Sequence, residues 1–579
     1  MSHPGYVAIL TWFRPHALPM IKLFGVAIFL VWPALLPLGA AIPGHPQSDA
    51  YEHVHGYRWV ADSLAAGRLP WRVEDFGVPV EGVLWFPDTL GALLALPVTL
   101  LAGAPVAYTL TVTAQVLASV VAAYALGFHI SRNRGAACFS AVVFGASPYV
   151  LGLIHSGVSE YLHLAAFPIF WLAAESGLRG ERRGMAAAVL AWAWLGWANA
   201  YYPMFAAFIL PMVWLTMEGR PRAMEALRRG LIVAAAAGLL VLPVAVAIQG
   251  SVSADGALVR QESAPGWSWV TLPANDLAGF FWPGDKLFPD LSARGNFGIR
   301  HVTYPGWVAV VVAAMAWRRW GAAMALAAVL AAGPSLHWRG QPVRVGGEVV
   351  PLPGALLYLP GSPFRAVHHP YRLVVLPSLV LAAAGAYALR NRPRLALAGA
   401  ALVLGETVVA SPAAGGLSIA SLDGVATLPG AGGVWDLPAD FGALNRRWMG
   451  LQAVHGRPIP YTINVFLPEP WRENRLYQST MGCLRESAAH TRSRDGWPPL
   501  AAWLQTDSTQ TGEAAAEEIR GWGIRYVIVH HDVTEDRERV CIETVLRGAG
   551  GVDVPAAGEG LTAFDFGGEP AINPVRTPR

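Results

Sequence analysis

The densest run of reactive side chains in this chain is Ser48-Asp49-Ala50-Tyr51-Glu52-His53-Val54-His55. If a helix starts at Ser48, then Asp49, Glu52 and His53 stand at i, i+3 and i+4 and share one face. Two carboxylates and an imidazole so placed can hold a divalent cation, or one of them can take a proton as general base. The same residues also fit a plainer expectation, a solvated amphipathic helix with Ser48 as N-cap and Glu52 in its first turns. A second cluster, His155-Ser156-Gly157-Val158-Ser159-Glu160-Tyr161-Leu162-His163, separates two apolar runs. Glu160 and His163 are one helical turn apart and could face Asp49. Ionisable groups at membrane depth are costly and tend to serve function, although a polar hairpin tip would look the same. The third cluster is Pro363-Phe364-Arg365-Ala366-Val367-His368-His369-Pro370-Tyr371-Arg372. Arg365 and Arg372, with His368, could clamp a phosphate, because the guanidinium fork matches phosphate oxygens. The alternatives are ion pairs with loop carboxylates or lipid headgroups.

The elements that must position these groups follow from composition. The 579 residues are 54% hydrophobic and 14% charged, with a mean hydropathy of +0.39. That much apolar surface cannot all enter one soluble core. A net charge of +3 is too small to suggest a nucleic-acid partner. A hydrocarbon core of about 30 Å needs roughly 20 apolar residues per helix, and about eleven stretches approach this. They are 20–42, 105–131, 136–155, 162–178, 184–200, 203–217, 230–249, 305–318, 321–333, 370–389 and 394–411. The run 89–103 is expected to be re-entrant or interfacial. A secretory signal over 23–41 is the alternative to a retained first helix.

Arginine clusters at 132–134, 179–183, 220–229, 318–319 and 390–394 fall at alternate loops, the pattern of cytoplasmic loops. With Arg14 and Lys22 on the same side, an odd number of spans places the N-terminus in the cytoplasm and the C-terminal part outside. The expected domains are a membrane domain, 1–411, with long outer loops at 43–104, 250–304 and 334–369, and an extracytoplasmic α/β domain, 412–579. Trp59, Trp71, Trp85, Trp267, Trp269 and Trp282 populate the outer loops, as interfacial anchors or as platforms for a sugar or lipid.

The C-terminal part alternates short β-like runs at Gly433–Pro438, Ile524–His530 and Leu561–Phe566 with a helical run at Glu513–Trp522. It carries no phosphate loop, zinc spacing or Ser-His-Asp signature. His455 and the pair His530-His531 are its pointed features. Cys483 and Cys541 can form a disulfide if the domain lies outside, or remain two buried thiols.

Further short motifs complete the pattern: Ala65-Gly67-Leu69-Pro70-Trp71, Ser147-Pro148-Tyr149, Trp435-Asp436-Leu437-Pro438, His455-Gly456-Arg457-Pro458-Ile459 and Tyr526-Val527-Ile528-Val529-His530. With an acid just after the first span and a C-terminal outer domain, the chain resembles the C-type (GT-C) integral-membrane glycosyltransferases, and among them the bacterial YfhO-like proteins. The resemblance implies an inner-membrane transferase, of hexosyltransferase type, moving a sugar from a polyprenyl-phosphate carrier to an acceptor at the outer face. It implies Asp49 as general base or metal ligand and Glu160 as its acidic partner. Glu52, His53, His163, Arg365, His368 and Arg372 would line the substrate, and Asp49, Glu52 and His53 would be the donors for any divalent cation. Asp49 is followed by Ala50-Tyr51 rather than a second acid, which leaves the cation open. A lipid-linked saccharide transporter and a non-catalytic envelope-assembly protein are the alternatives.

Overall fold

Helices dominate, as the long apolar runs require. The computed structural model describes residues 4–45, 48–73, 75–80, 82–251, 274–282, 303–338, 341–367, 369–411, 416–418, 428–439, 443–462, 469–484, 511–555 and 560–567. Trp267, Trp269 and His368 lie outside the described residues. The chain is a polytopic α-helical membrane protein with a small mixed sheet in its C-terminal part.

Among the described residues six helices are long and apolar enough to cross a bilayer: His16–Leu35, Ala104–Ser131, Arg134–Ser156, Ala223–Gly250, Pro370–Ala388 and Pro393–Ala410. The five other expected spans are the shorter helices Ala166–Leu178, Arg182–Ala198, Tyr202–Thr216, Trp307–Ala314 and Trp317–Ala331. At 1.5 Å per residue these reach about 12–26 Å, below the hydrocarbon thickness. The run 89–103 forms the 14-residue helix Thr89–Ala102, opened by the Asp88 side chain on the Gly91 amide.

The chain divides into two compact units. The first comprises Met1–Pro37, Thr109–Ala245 and Glu262–Gly416; the second comprises Leu38–Tyr108, Val246–Gln261 and Leu417–Arg579. In the first, the buried helix Arg134–Gly145 packs against Val375–Ala388 and Pro393–Ala410. Small residues let the backbones close, as in membrane bundles generally: a Cβ on Gly385 would lie 2.4 Å from the Phe139 ring. Glu406, on the last of these helices, accepts from the Tyr304 hydroxyl and the Trp307 amide (2.5 and 2.7 Å) and so caps the start of the Trp307–Ala314 helix.

In the second unit, Gly433–Leu437 pairs in parallel with Ile524–His530, which pairs antiparallel with Leu561–Asp565, with Val552–Val554 on the far edge. Three of the four strands match the β-like runs closely because each is a short apolar-rich run between turn residues; the edge strand Val552–Val554 is not among those runs. Val434, Tyr526, Ile528 and Ala563 form their core with Leu428. Residues of the first outer loop share this unit: Phe76 bridges Ile459, and the Trp471 indole donates to the Val78 carbonyl at 2.6 Å. Cys483 and Cys541 are joined as a disulfide, and the alternative of two free thiols is set aside.

Candidate functional site

The second unit holds the first acidic cluster on the helix Ala50–Ala65. The helix begins one residue later than a Ser48 cap would place it, because Ser48 Oγ accepts from the Ala50 amide (3.3 Å) and Asp49 becomes the capping residue. Asp49 makes no side-chain cap bond, although an Asp there normally contributes about 1 kcal/mol by making one. Its carboxylate is given instead to Arg446: Nε lies 2.8 Å from Asp49 Oδ1 and 3.8 Å from Glu52 Oε2. The helix is also far from solvated. Glu52, His53, Val54, His55, Tyr57 and Val60 are all buried, so the solvated alternative fails. The neighbouring helix Ala443–His455 packs along it. His53 sits between the Phe86 and Tyr108 rings, and its Nδ1 is 2.9 Å from the Asp49 carbonyl.

The first unit holds the other two clusters. Glu160 lies on the buried turn Ser159–Tyr161. Arg372, on the turn Pro370–Val374 that opens a membrane helix, is 7% exposed. Its guanidinium carbon is 3.2 Å from the centroid of the Tyr161 ring, with Glu160 and Tyr149 in electrostatic reach. Nε and Nη1 of Arg372 are buried and find no acceptor among the described residues. The sequence-predicted Glu160 and Arg372 are therefore brought together. Arg365, by contrast, is exposed on the turn Pro363–Ala366. His163 is held on both edges, by the Trp194 indole N–H on Nδ1 (3.2 Å) and by the Gln115 amide at Nε2 (2.8 Å). An indole can only donate, so Nδ1 accepts and Nε2 carries the proton; the Gln115 atom facing it must then be its carbonyl oxygen.

Two buried polar residues of the second unit, Asp88 and Gln452, escaped the sequence reading. Asp88 accepts from the Tyr57 hydroxyl (2.8 Å) and the Gly91 amide (3.1 Å) and serves the helix it opens. His55 Nδ1 lies 2.8 Å from Gln452 Oε1, and burial pushes its imidazole down to about 4. His530 donates to Asp436 at 2.8 Å and stacks on Trp448. His455 Nδ1 accepts from the Arg457 amide (2.9 Å), which gives it a local structural bond. Burial lowers its imidazole to about 4 as well.

The fit of a divalent cation to Asp49, Glu52 and His53 is poor. Both carboxylates face one guanidinium, which already supplies the positive charge between them. Among the described residues no three His, Cys, Asp or Glu side chains gather as a metal-holding group.

These two clusters, an acid on the first post-span helix and a buried arginine at the head of a membrane helix, sit on a fold of the GT-C membrane type. No family model and no curated protein matches the chain. Among solved structures, the arabinofuranosyltransferase AftD from Mycobacteria matches with a TM-score of 0.53 and 17% identity, over 95% of this chain and 42% of that one. An oligosaccharyltransferase from Archaeoglobus fulgidus matches at 0.47 and 12% identity, over 94% and 74%. ArnT from Cupriavidus metallidurans, bound to undecaprenyl phosphate, matches at 0.40 and 12%, over 94% and 98%. The likeness to AftD establishes the GT-C fold, and this chain spans about two fifths of the length of that structure (42%).

Proposed function

We propose that this chain is a membrane glycosyltransferase that takes a sugar from a polyprenyl-phosphate carrier and delivers it to an acceptor hydroxyl outside the cytoplasm. The observation that carries the reading is Arg372. A guanidinium that is 7% exposed, with two N–H groups lacking acceptors among the described residues, stands at the first turn of a membrane helix. Such a group is suited to an anion that arrives within the bilayer surface. A lipid-linked phosphate has that form.

In the reaction the bond from the anomeric carbon to the phosphate oxygen breaks, and the bond from that carbon to the acceptor oxygen forms. Arg372 stabilises the charge that develops on the departing lipid phosphate. Asp49 takes the acceptor's proton, and Glu160 orients Arg372. Arg365 and His368 belong to the same basic segment and add to carrier binding. The N-terminus is cytoplasmic and the C-terminal domain faces outward, in a bacterial inner membrane. Whether the sugar is a hexose or a pentose is decided by assay.

The full chain in detergent, given a panel of radiolabelled undecaprenyl-phosphate sugars, is expected to release undecaprenyl phosphate with at least one of them. Arg372→Gln should weaken carrier binding by about 10- to 100-fold, the loss of one or two charge-assisted bonds. Asp49→Asn should abolish release while leaving carrier binding in place. Release by Asp49→Asn at the parental rate removes Asp49 as base, and unchanged binding by Arg372→Gln removes the phosphate assignment.

A further inference from the structure

The second unit places an arginine where a cation would have to sit. Asp49 stands at the capping position of its helix, yet its carboxylate turns away from the helix amides toward Arg446, 2.8 Å away. Glu52, one turn on, presents Oε2 to the same nitrogen at 3.8 Å. Arg446 comes from the helix Ala443–His455, whose contacts advance in step with those of Ala50–Ala65: Arg446 with Asp49, Gly450 with Tyr51, Gln452 with His55. A Cβ on Gly450 would lie 2.6 Å from the Tyr51 ring, so the two backbones approach closely at that point. The guanidinium is thus delivered by a rigid helix pair rather than by a loop.

We propose that Arg446 is the positioning residue for Asp49, and that it fills the role a divalent cation would otherwise have between Asp49 and Glu52. The inference rests on the reading of Asp49 as the acceptor's base. Arg446 holds Asp49 by an ion pair at Oδ1, and its charge offsets the like-charge approach of Asp49 and Glu52. His53 does not complete a metal set with them, since among the described residues no three His, Cys, Asp or Glu side chains gather as a metal-holding group. The chain would then need no metal at this acid pair.

The test uses Mn²⁺ as probe and needs no substrate. Mn²⁺ binding to the full chain in detergent is read by electron paramagnetic resonance of the free ion. Parental protein should take up no Mn²⁺ through Asp49. Arg446→Ala, and Arg446→Gln as a second variant should the first fail to fold, should gain a site at least tenfold tighter. Adding Asp49→Asn should remove that site again. Arg446→Lys, which keeps the charge, should behave as the parent, so that the gain in the Ala and Gln variants tracks the lost charge. Two outcomes overturn the proposal: Mn²⁺ held by the parent through Asp49, or no gain in Arg446→Ala and Arg446→Gln. Because the readout is metal binding, it stands even if Asp49→Asn retains transfer and the base assignment fails.

Discussion

Two N–H groups of Arg372 lie buried without an acceptor among the described residues, and an unsatisfied buried donor costs about 1–3 kcal/mol. The Tyr161 face beneath the guanidinium returns part of that cost, since cation–π contact contributes about 0.5–2 kcal/mol. With two such donors the residue is net unfavourable for folding, as a group placed for a ligand would be under the proposed function. Arg372→Leu should not lower the stability of the detergent-solubilised chain by more than about 1 kcal/mol. Undecaprenyl phosphate should raise the midpoint of the parent through binding linkage and leave that of the variant unmoved. A large destabilisation by Arg372→Leu would make the arginine structural instead. His55 illustrates the opposite case, a buried ionisable group serving the fold. Its Nδ1 donates to Gln452, and its Nε2 has no partner among the described residues, so a second proton would have nowhere to bond. Burial holds the imidazole at about 4, below its unfolded value of about 6.5. The unfolded chain binds the proton first as pH falls. Stability is thus complete above about pH 6.5 and is lost toward 4, on the order of 3 kcal/mol for this residue. Denaturation followed from about pH 7 to about 4.5 should show a slope to which His55 and the similarly lowered His455 both contribute, and His55→Gln should reduce it without abolishing it.

At the scale of elements, the helix Ala50–Ala65 is fixed by its neighbour Ala443–His455, and the closest approach is at Gly450. A side chain there meets Tyr51 Cδ1 at 2.6 Å and Tyr51 Cβ at 3.0 Å; the second atom is tied to backbone and cannot swing aside. Gly450→Val should force the helices apart, costing about 1–3 kcal/mol, and should break the Arg446–Asp49 contact. Hydrogen exchange over 50–65 should rise in the variant, and Gly450→Ala should show a smaller change of the same sign. The spacing of Asp49, Glu52 and His53 was legible in the sequence because helical periodicity is local. Three of the four strands were legible as short apolar-rich runs between turn residues, while the three-residue edge strand Val552–Val554 was not. Arg446 and Gln452 were not. Gln452 lies 397 residues from His55 along the chain, and no periodicity rule reaches that far. The start of the helix was misplaced by one residue because Ser48 and Asp49 are both good caps, and only tertiary contact decides which side chain is spent elsewhere. His163 shows the converse, a histidine whose type and spacing suggested substrate but whose two nitrogens are taken by Trp194 and Gln115.

At the scale of the whole molecule, the side of the membrane decides which donors are within reach. A glycosyltransferase working outside the cytoplasm has no nucleotide-sugar pool beside it, so its donor must come on a membrane carrier; one working inside has no such need. The arginine-rich loops argue for an outward C-terminal part by the positive-inside rule, and the Cys483–Cys541 disulfide argues for it independently, since disulfides persist in oxidising compartments. The bridge ties the helix Arg475–Cys483 to the helix Asp536–Gly548 across a sequence separation of 58 residues. Closing a loop of that length contributes about 4 kcal/mol in the chain-entropy account. Cys138 is a buried free thiol on the helix Arg134–Gly145 and serves as an internal reference. In cells quenched with acid and then denatured, a maleimide–polyethylene glycol should label one thiol per chain before reduction and three after it. A membrane-impermeant reductant applied to spheroplasts before quenching and denaturation should convert the first pattern into the second. Replacing both Cys483 and Cys541 with Ser should lower stability toward that 4 kcal/mol limit while Cys138→Ser changes little. Three thiols labelled without any reductant would place the C-terminal part on the reducing side. That result would leave the GT-C fold standing and remove the requirement for a lipid-linked donor.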